Sequence, residues 1–394
     1  MIMKKRRILF VGMYPNPPSP YRNVFFQNLI FAIADQGVEC TVISPIPVTR
    51  YRSKTKLVPK HSYDTTPGGN KVEVYAPRFI SASSKQIGSF NTEHISEALF
   101  ERSVLSTLRK LQGEYDCVYG HFFLYGGLAA IKVGRRLNIP SFVAFGECDY
   151  ETQIQQTFGD LKLKHIKGLS GVVAVSSKNA KVLDSLGIFQ DIPKIIAPNA
   201  VDMSLFYKRD KAQCRETLGI PQDQFVVGFV GGFIERKGDK RLLAAAQQLE
   251  GVYLAFAGRG EPAPAGDPVV FCRAMTHEEV PILLNAVDVF CLPTLSEGSC
   301  NALVEAASCG VPIVSSDLPF NDDLLTEENS IRIDPNSVEA IRNSIGRLKE
   351  DAQLRETLSQ RIYEDSRIFS IEKRAQRILE FIEKVSVGES NDNK

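Results

Sequence analysis

The stretch from Val287 to Pro312 constrains the chain most. Val287-Asp288-Val289-Phe290-Cys291-Leu292 is short, apolar and branched and is stopped by Pro293, the pattern of a buried strand. From Asn301 to Cys309, Ala302, Leu303, Ala306 and Ala307 recur at helical spacing. Gly310 sits at the C-cap and Pro312 forbids continuation. Strand, loop and helix in that order bring the first free N–H groups of the helix to a sheet's edge, where they and the helix dipole favour an anion. Glu297 stands in the loop and Glu305 in the helix, with seven residues between them. A carboxylate is a poor partner for a phosphate but a good acceptor for a vicinal diol. The segment thus offers amides for phosphate and two acids for sugar hydroxyls. The spacing is also met by a capped helix carrying two solvated acids, the commoner case for Glu.

The same strand-and-helix alternation runs along the chain. Ile8 to Val11 is a buried strand, Met13 to Pro20 a proline-rich loop, Asn23 to Asp35 a helix closed by Gly37, and Val38 to Ile43 the next strand. That order predicts a parallel sheet. A helix from Glu97 to Leu111 precedes the strand Tyr115 to Tyr119. This strand delivers Gly120 and His121 to its carboxyl end, the ligand side of such sheets. A helix over Gly126 to Leu137 follows, then strands at Ser141 to Phe145, Val172 to Val175 and Lys194 to Ala197. Met203 to Leu218 reads as a linker with a short helix. A second series then begins, with strands at Phe225 to Val230, Val252 to Ala257, Val269 to Phe271 and Val311 to Ser315, and helices at His277 to Ala286, Ser337 to Lys349 and Leu354 to Tyr363. An amphipathic helix, Ile371 to Val385, and a frayed polar tail, Gly388 to Lys394, end the chain. The expectation is an α/β protein with two doubly wound, Rossmann-like domains facing across a cleft. Their spans are 1–202 and 203–365, with 366–388 a helix packing back on the first domain.

Gly231-Gly232-Phe233-Ile234-Glu235-Arg236-Lys237-Gly238 follows a strand. Glycines there let a diphosphate approach the backbone, and Arg and Lys add charge-assisted donors. A polar turn satisfies the same residues. Thr49 to Lys60 sets Arg50, Arg52, Lys54, Lys56 and Lys60 around Tyr51 and Leu57, the pattern of a solvated loop or of contact with lipid headgroups or another anion.

Composition narrows the function classes. A net charge of +1 gives no global bias toward nucleic acid or membrane. No apolar run approaches the roughly 20 residues a spanning helix needs. The basic start, Met1 to Arg7, leads straight into a strand, so no signal peptide is expected. The eight cysteines form no C-x-x-C pair and no Asp-x-Asp occurs, so a reduced, cytoplasmic chain without a metal site or cofactor is expected. The first turn lacks G-x-G-x-x-G, which removes the main support for a dinucleotide.

Three segments carry a resemblance: Gly228 to Gly238 (G-F-V-G-G-F-I-E-R-K-G), Pro198 to Asp202 (P-N-A-V-D) and Glu297 to Ala306 (E-G-S-C-N-A-L-V-E-A). With them the chain resembles the GT-B glycosyltransferases of family 4 over nearly its whole length. The last is that family's Glu-x7-Glu motif. The Met13–Phe31 region is similar to the subgroup that includes the teichuronic acid biosynthesis transferases.

The resemblance implies retaining, metal-independent hexosyl transfer from a nucleotide sugar, with a UDP-sugar the expected donor. The acceptor would be a glycan or lipid-linked saccharide of cell-surface polysaccharide synthesis. It implies an acceptor-side first domain and a donor-binding second domain, while the charge of the Arg50–Lys60 segment, with Tyr51 and Leu57 between, leads to an expected peripheral contact with the inner membrane surface. Arg236 and Lys237 align with the pair that neutralises the diphosphate, with Gly231 and Gly232 before them. Glu305 aligns with the acid on the ribose and Glu297 with the acid at the hexose C3–C4 edge. Ser299, Cys300 and Asn301 align with backbone donors, His121 with the histidine beside the sugar's C6 hydroxyl, and Met275 with a residue bordering the base. The chain departs from the family at Pro17-Pro18-Ser19-Pro20-Tyr21-Arg22-Asn23, at Ala200 and at Arg273, where glycines are usual. A nucleotide-sugar epimerase and a non-catalytic nucleotide-sugar binding module share the same acids and frame.

Overall fold

The computed structural model describes residues 6–17, 20, 22–82, 85–88, 90–156 and 159–392. Pro18, Ser19 and Tyr21 of the proline-rich turn lie outside them, as do Met1 to Lys5, Asn393 and Lys394. The chain divides into two units, Met1–Pro198 with Ile371–Lys394, and Asn199–Ser370.

The first unit is built on an eight-stranded sheet. Its strands follow the order Lys194–Ile196, Gly171–Ala174, Ser141–Phe145, Cys117–His121, Arg7–Val11, Glu39–Ile43, Lys71–Tyr75 and His61–Thr65. All neighbours are parallel except the last pair. The inner strands are apolar on both faces because helices cover both. Leu9, Val11 and Val118 pack with Phe100 and Val133 on one side. Val143, Phe145 and Val172 join a cluster with Ile131 and Phe189. Val11 pairs with both Ile43 and Gly120, so Gly12, Ser44 and His121 all emerge at the carboxyl edge.

Asn23 adopts φ 57° and ψ 30°, left-handed angles that Asn tolerates, immediately before the Val24–Asp35 helix. The Ile371–Asp392 helix belongs to the first unit, where the Phe381 ring lies 5.8 Å from Phe142. Its backbone stays helical through Gly388 to Asp392, so the expected frayed tail is a correction.

Two further expectations are corrected. The edge hairpin of His61–Thr65 and Lys71–Tyr75 was not foreseen. Thr49 to Lys60 is no open loop but a helical turn, Val48–Tyr51, followed by a tight 3-10 turn, Arg52–Leu57. Tyr51 packs on Ile46, Val58 and Ala76, while Arg78 donates to the carbonyls of Thr55 (3.0 Å) and Val58. Leu57 points out, 61% exposed.

The second unit has an all-parallel six-stranded sheet, ordered Val269–Arg273, Val252–Ala257, Phe225–Val230, Val289–Leu292, Ile313–Ser316 and Ile331–Ile333. The order reverses direction between Phe225–Val230 and Val289–Leu292, which makes the loops after these strands the switch point where ligands bind in such sheets. Among the described residues no helix is long and apolar enough to cross a membrane.

Candidate active site in the second unit

Two loops meet at this switch point. The first follows Phe225–Val230 and ends in a 3-10 turn, Glu235–Lys237, before the Asp239–Ala246 helix. Gly238 joins turn to helix at φ +83°, and a Cβ there would lie 2.7 Å from the Pro293 carbonyl oxygen. Only glycine permits both the backbone angle and the close approach of the second loop. Leu295 N donates to the Arg236 carbonyl at 2.8 Å, and Arg241 Nη2 to the Pro293 carbonyl at 2.9 Å. The loops are therefore stitched together by one backbone and one side-chain hydrogen bond.

The second loop runs from Pro293 to the Asn301–Ser308 helix. Three buried side chains hold it from beneath. Ser315 Oγ donates to Leu292 O at 2.7 Å, Ser316 Oγ to Thr294 O at 2.5 Å, and Asn321 Nδ2 to Ser316 O at 2.7 Å. Asn199 holds it from the side. Its N donates to Ser299 Oγ at 3.0 Å and its Nδ2 to Ser299 O at 3.1 Å. Cys300 caps the helix without a side-chain hydrogen bond, and Leu303 N donates to the Cys300 carbonyl at 3.2 Å, so no capping side chain competes for the first-turn amides. Asn301 Oδ1 is buried and has no partner among the described residues.

Glu297 lies at the centre, 7% exposed. Its Oε1 accepts from Lys237 Nζ at 2.6 Å, Arg236 Nη1 at 2.8 Å and Thr294 Oγ1 at 2.8 Å. Arg236 also donates to the Ser296 carbonyl. Burial pushes the Lys237 ammonium toward deprotonation, but the charge and hydrogen bond of Glu297 oppose it, and the net shift is upward. Lys237 is thus held cationic. Burial drives the Cys300 thiol up to about 12, which leaves it protonated.

Glu305 is buried one helical turn deeper. Burial raises its pKa, with His277 and Lys237 opposing. His277 Nδ1 stands 3.9 Å from Glu305 Oε1, and the His277 ring lies 5.0 Å from Phe206. This corrects the expected helix start. The helix is Val280–Ala286, and His277 sits in a turn where Glu279 Oε2 accepts from Thr276 N at 2.7 Å.

The structure brings Arg236, Lys237, Glu297, Ser299, Cys300, Asn301 and Glu305 to one switch point. Gly231 lies on its rim, where its N donates to Ala257 O at 2.9 Å beside Gly232. Met275 is half-buried in the loop after Val269–Arg273. Arg273 stacks over Phe271 at 5.3 Å and pairs with Glu279 at 3.0 Å.

His121 belongs to the first unit. It is 5% exposed and stacks on Phe26 at 4.5 Å, with Phe25 and Phe122 around it. Burial and Arg374 push its pKa down to about 3, so the ring is neutral, and its Nδ1 has no partner among the described residues. Glu147 stands two residues past the Ser141–Phe145 strand. Its carboxylate accepts from Phe123 N at 2.5 Å and Gly146 N at 3.0 Å, tying two strand ends together.

With these arrangements established, comparison with known proteins adds the following. Residues 210–365 match the family described as Glycosyl transferases group 1. The chain is 26% identical over 375 residues to the Bacillus subtilis (strain 168) protein assigned as the teichuronic acid biosynthesis glycosyltransferase TuaC, covering 91% of this chain and 93% of that one. The fold is similar to sucrose-phosphate synthase from Thermosynechococcus elongatus, with TM-score 0.79, 18% identity, and 98% and 100% of the two chains covered. It is also similar to Anabaena Alr3699/HepE in complex with UDP-glucose, with TM-score 0.68, 18% identity, and 96% and 99% covered.

Proposed function

We propose that this chain, a group 1 glycosyltransferase of GT-B fold, is a retaining, metal-independent hexosyltransferase of family 4. It would move a hexose from a UDP-sugar to a glycan or lipid-linked acceptor in cell-surface polysaccharide synthesis. The observation that carries this reading is the triad of Arg236, Lys237 and Glu297 beside an uncapped helix N-terminus, with Glu305 deeper on that helix. Similarity to TuaC supports the acceptor class, and likeness to a UDP-glucose complex supports the donor.

In this reading the diphosphate lies against Arg236, Lys237 and the amides at Asn301. These fixed donors neutralise the charge that grows on the leaving phosphate. Glu305 holds the ribose hydroxyls, Met275 borders the base, and Glu297 orients the hexose. His121, kept neutral, serves the sugar as a hydrogen-bond partner. The acceptor hydroxyl attacks the anomeric carbon on the face the diphosphate leaves. The bond to phosphate breaks, and the departing phosphate oxygen takes the acceptor's proton. Peripheral membrane contact through the Arg50–Lys60 turns, with Leu57 exposed, fits a lipid-linked acceptor.

The test is an NMR time course with UDP-sugars and EDTA, with and without saccharide acceptors. Transfer, or slow donor hydrolysis, with retained anomeric configuration is expected. Activity lost in EDTA and restored by Mn²⁺ would overturn the metal-independent part. Conversion of the UDP-sugar to an epimer without acceptor would replace transfer by epimerisation. Binding of UDP with neither reaction would leave a binding module.

A further inference from the structure

A cavity lined largely by basic side chains lies in the first unit, in the groove between the helices Glu93–Thr107, Leu128–Leu137 and Leu163–Ile166. It is a cavity of about 570 Å³ with Leu128 as its apolar floor. Lys132, Arg135, Lys162 and Lys164 line it, against two carboxyls, Glu97 and Asp160. Lys132 is tethered to Glu101. Arg135, Lys162 and Lys164 pair with no carboxylate among the described residues. Asp160 already accepts from Gln155 Nε2 at 2.8 Å. Burial and Glu101 push Glu97 up to about 7, against Lys132, so near neutrality this acid carries only part of a negative charge.

The cations are positioned as well as gathered. Gly168 has φ +86°, and a Cβ there would lie 2.8 Å from Arg135 Cγ. The Arg135 stem therefore lies against bare backbone at Gly168, which brings its exposed head group to the rim of the groove. His165 Nδ1 accepts from Lys162 N at 3.1 Å, which fixes the ring and leaves its proton on Nε2. Unpaired like charges held around one cavity repel until an anion enters. A planar guanidinium beside ammonium groups matches the oxygens of a phosphoryl group. The volume admits more than a bare phosphate, since sites of roughly 300–1,000 Å³ hold whole metabolites.

We propose that this cavity binds a phosphoryl group, carried by a soluble phosphate ester or by a lipid headgroup. It is built from residues the donor site does not use, and it stands whether or not the hexosyltransferase reading holds.

The probes are inorganic pyrophosphate, followed by calorimetry, and phosphatidylglycerol vesicles compared with phosphatidylcholine vesicles in co-sedimentation. Because Arg236 and Lys237 also attract pyrophosphate, Lys237→Ala is titrated beside the parent chain. A saturable pyrophosphate site should persist in Lys237→Ala. It should weaken at least tenfold in Arg135→Gln and in the double variant Lys162→Ser, Lys164→Ser. The charge-keeping double variant Lys162→Arg, Lys164→Arg should restore it. Vesicle binding that falls in the same variants while pyrophosphate is ignored assigns the phosphoryl group to a lipid headgroup. Lys162 and Lys164 are exposed, so the double variant decides the matter should Arg135→Gln fail to fold. The proposal is overturned if the groove variants match the parent with both probes, or if Lys237→Ala alone removes pyrophosphate binding and vesicle binding is unchanged.

Discussion

Lys237 Nζ lies 2.6 Å from Glu297 Oε1, and this contact binds the loops after two adjacent strands of one sheet. Arg236 shares the same oxygen. Two cations on one carboxylate leave a net positive group at the helix N-terminus. In the proposed function a diphosphate would enter as a further partner to the cations, releasing the carboxylate toward a sugar hydroxyl. Glu297 would then have two duties: keeping the cations in place while the site is empty and orienting the hexose when it is full.

Removing the carboxylate should therefore destabilise the empty protein. Glu297→Ala leaves Lys237 buried and unpaired, a cost of roughly 1–3 kcal/mol for a charged group left without its partner. Urea midpoints with and without UDP measure it. UDP should stabilise Glu297→Ala at least as much as the parent, because the diphosphate replaces the lost partner. A variant as stable as the parent without UDP would show that the contact is not structural.

Glu305 should behave in the opposite way. It lies deeper on the helix and pairs only distantly with His277, so it has less to hold in the empty site. Glu305→Ala should weaken UDP itself, whereas Glu297→Ala should leave UDP affinity nearly intact and lower turnover. Calorimetry with UDP on both variants separates the two. Equal losses would refute the division of nucleotide and sugar between these acids.

Stability should depend on pH through Glu147. Burial pushes this carboxyl up to about 7 from an ordinary 4.5, and the amides of Phe123 and Gly146 only partly oppose it. Between those values the folded chain binds more protons than the unfolded one, so stability contributed at low pH is lost as pH rises through that window. The whole span corresponds to something on the order of 3 kcal/mol. Glu147→Gln removes the titration, so its stability relative to the parent should improve from about pH 5 to about pH 8. A stability difference that stays constant between those two pH values would count against the buried acid as its source.

The strand, loop and helix around Glu297 were legible because an apolar branched run, Pro293, Gly310 and Pro312 leave few alternatives. The contact of Glu297 with Lys237 was not, since no local pattern records which loops a parallel sheet sets side by side. Tertiary anchoring also overrode composition at Arg50 to Lys60. Five cations suggested a loop, yet Arg78 and the pocket around Tyr51 fold it into turns. The Lys71–Tyr75 strand alternates exposed and buried residues over only five positions, too few to stand out beside a polar turn. Asn23 shows the reverse case: Asn tolerates left-handed angles, and this residue adopts them just before its helix without a glycine.

The basic pair gives the sharpest kinetic prediction. Arg236 and Lys237 stand in the turn before Gly238, and both reach Glu297 beside the uncapped Asn301 helix. Each charged hydrogen bond to a diphosphate is worth roughly 1.5–3 kcal/mol. The leaving group gains negative charge as the glycosidic bond breaks, so these contacts strengthen toward the transition state. Binding of that differential kind shows in kcat as well as KM. A residue holding only the ground-state diphosphate would raise KM and leave kcat alone. Lys237 is the more buried of the two and is held cationic, so its loss should be the larger. Steady-state kinetics on Arg236→Ala and Lys237→Ala at saturating acceptor, with circular dichroism to confirm folding, should show kcat reduced at least tenfold in one of them, about 1.4 kcal/mol or more. If both folded variants keep the parent kcat, the pair only clamps the ground state, and the leaving group is stabilised elsewhere.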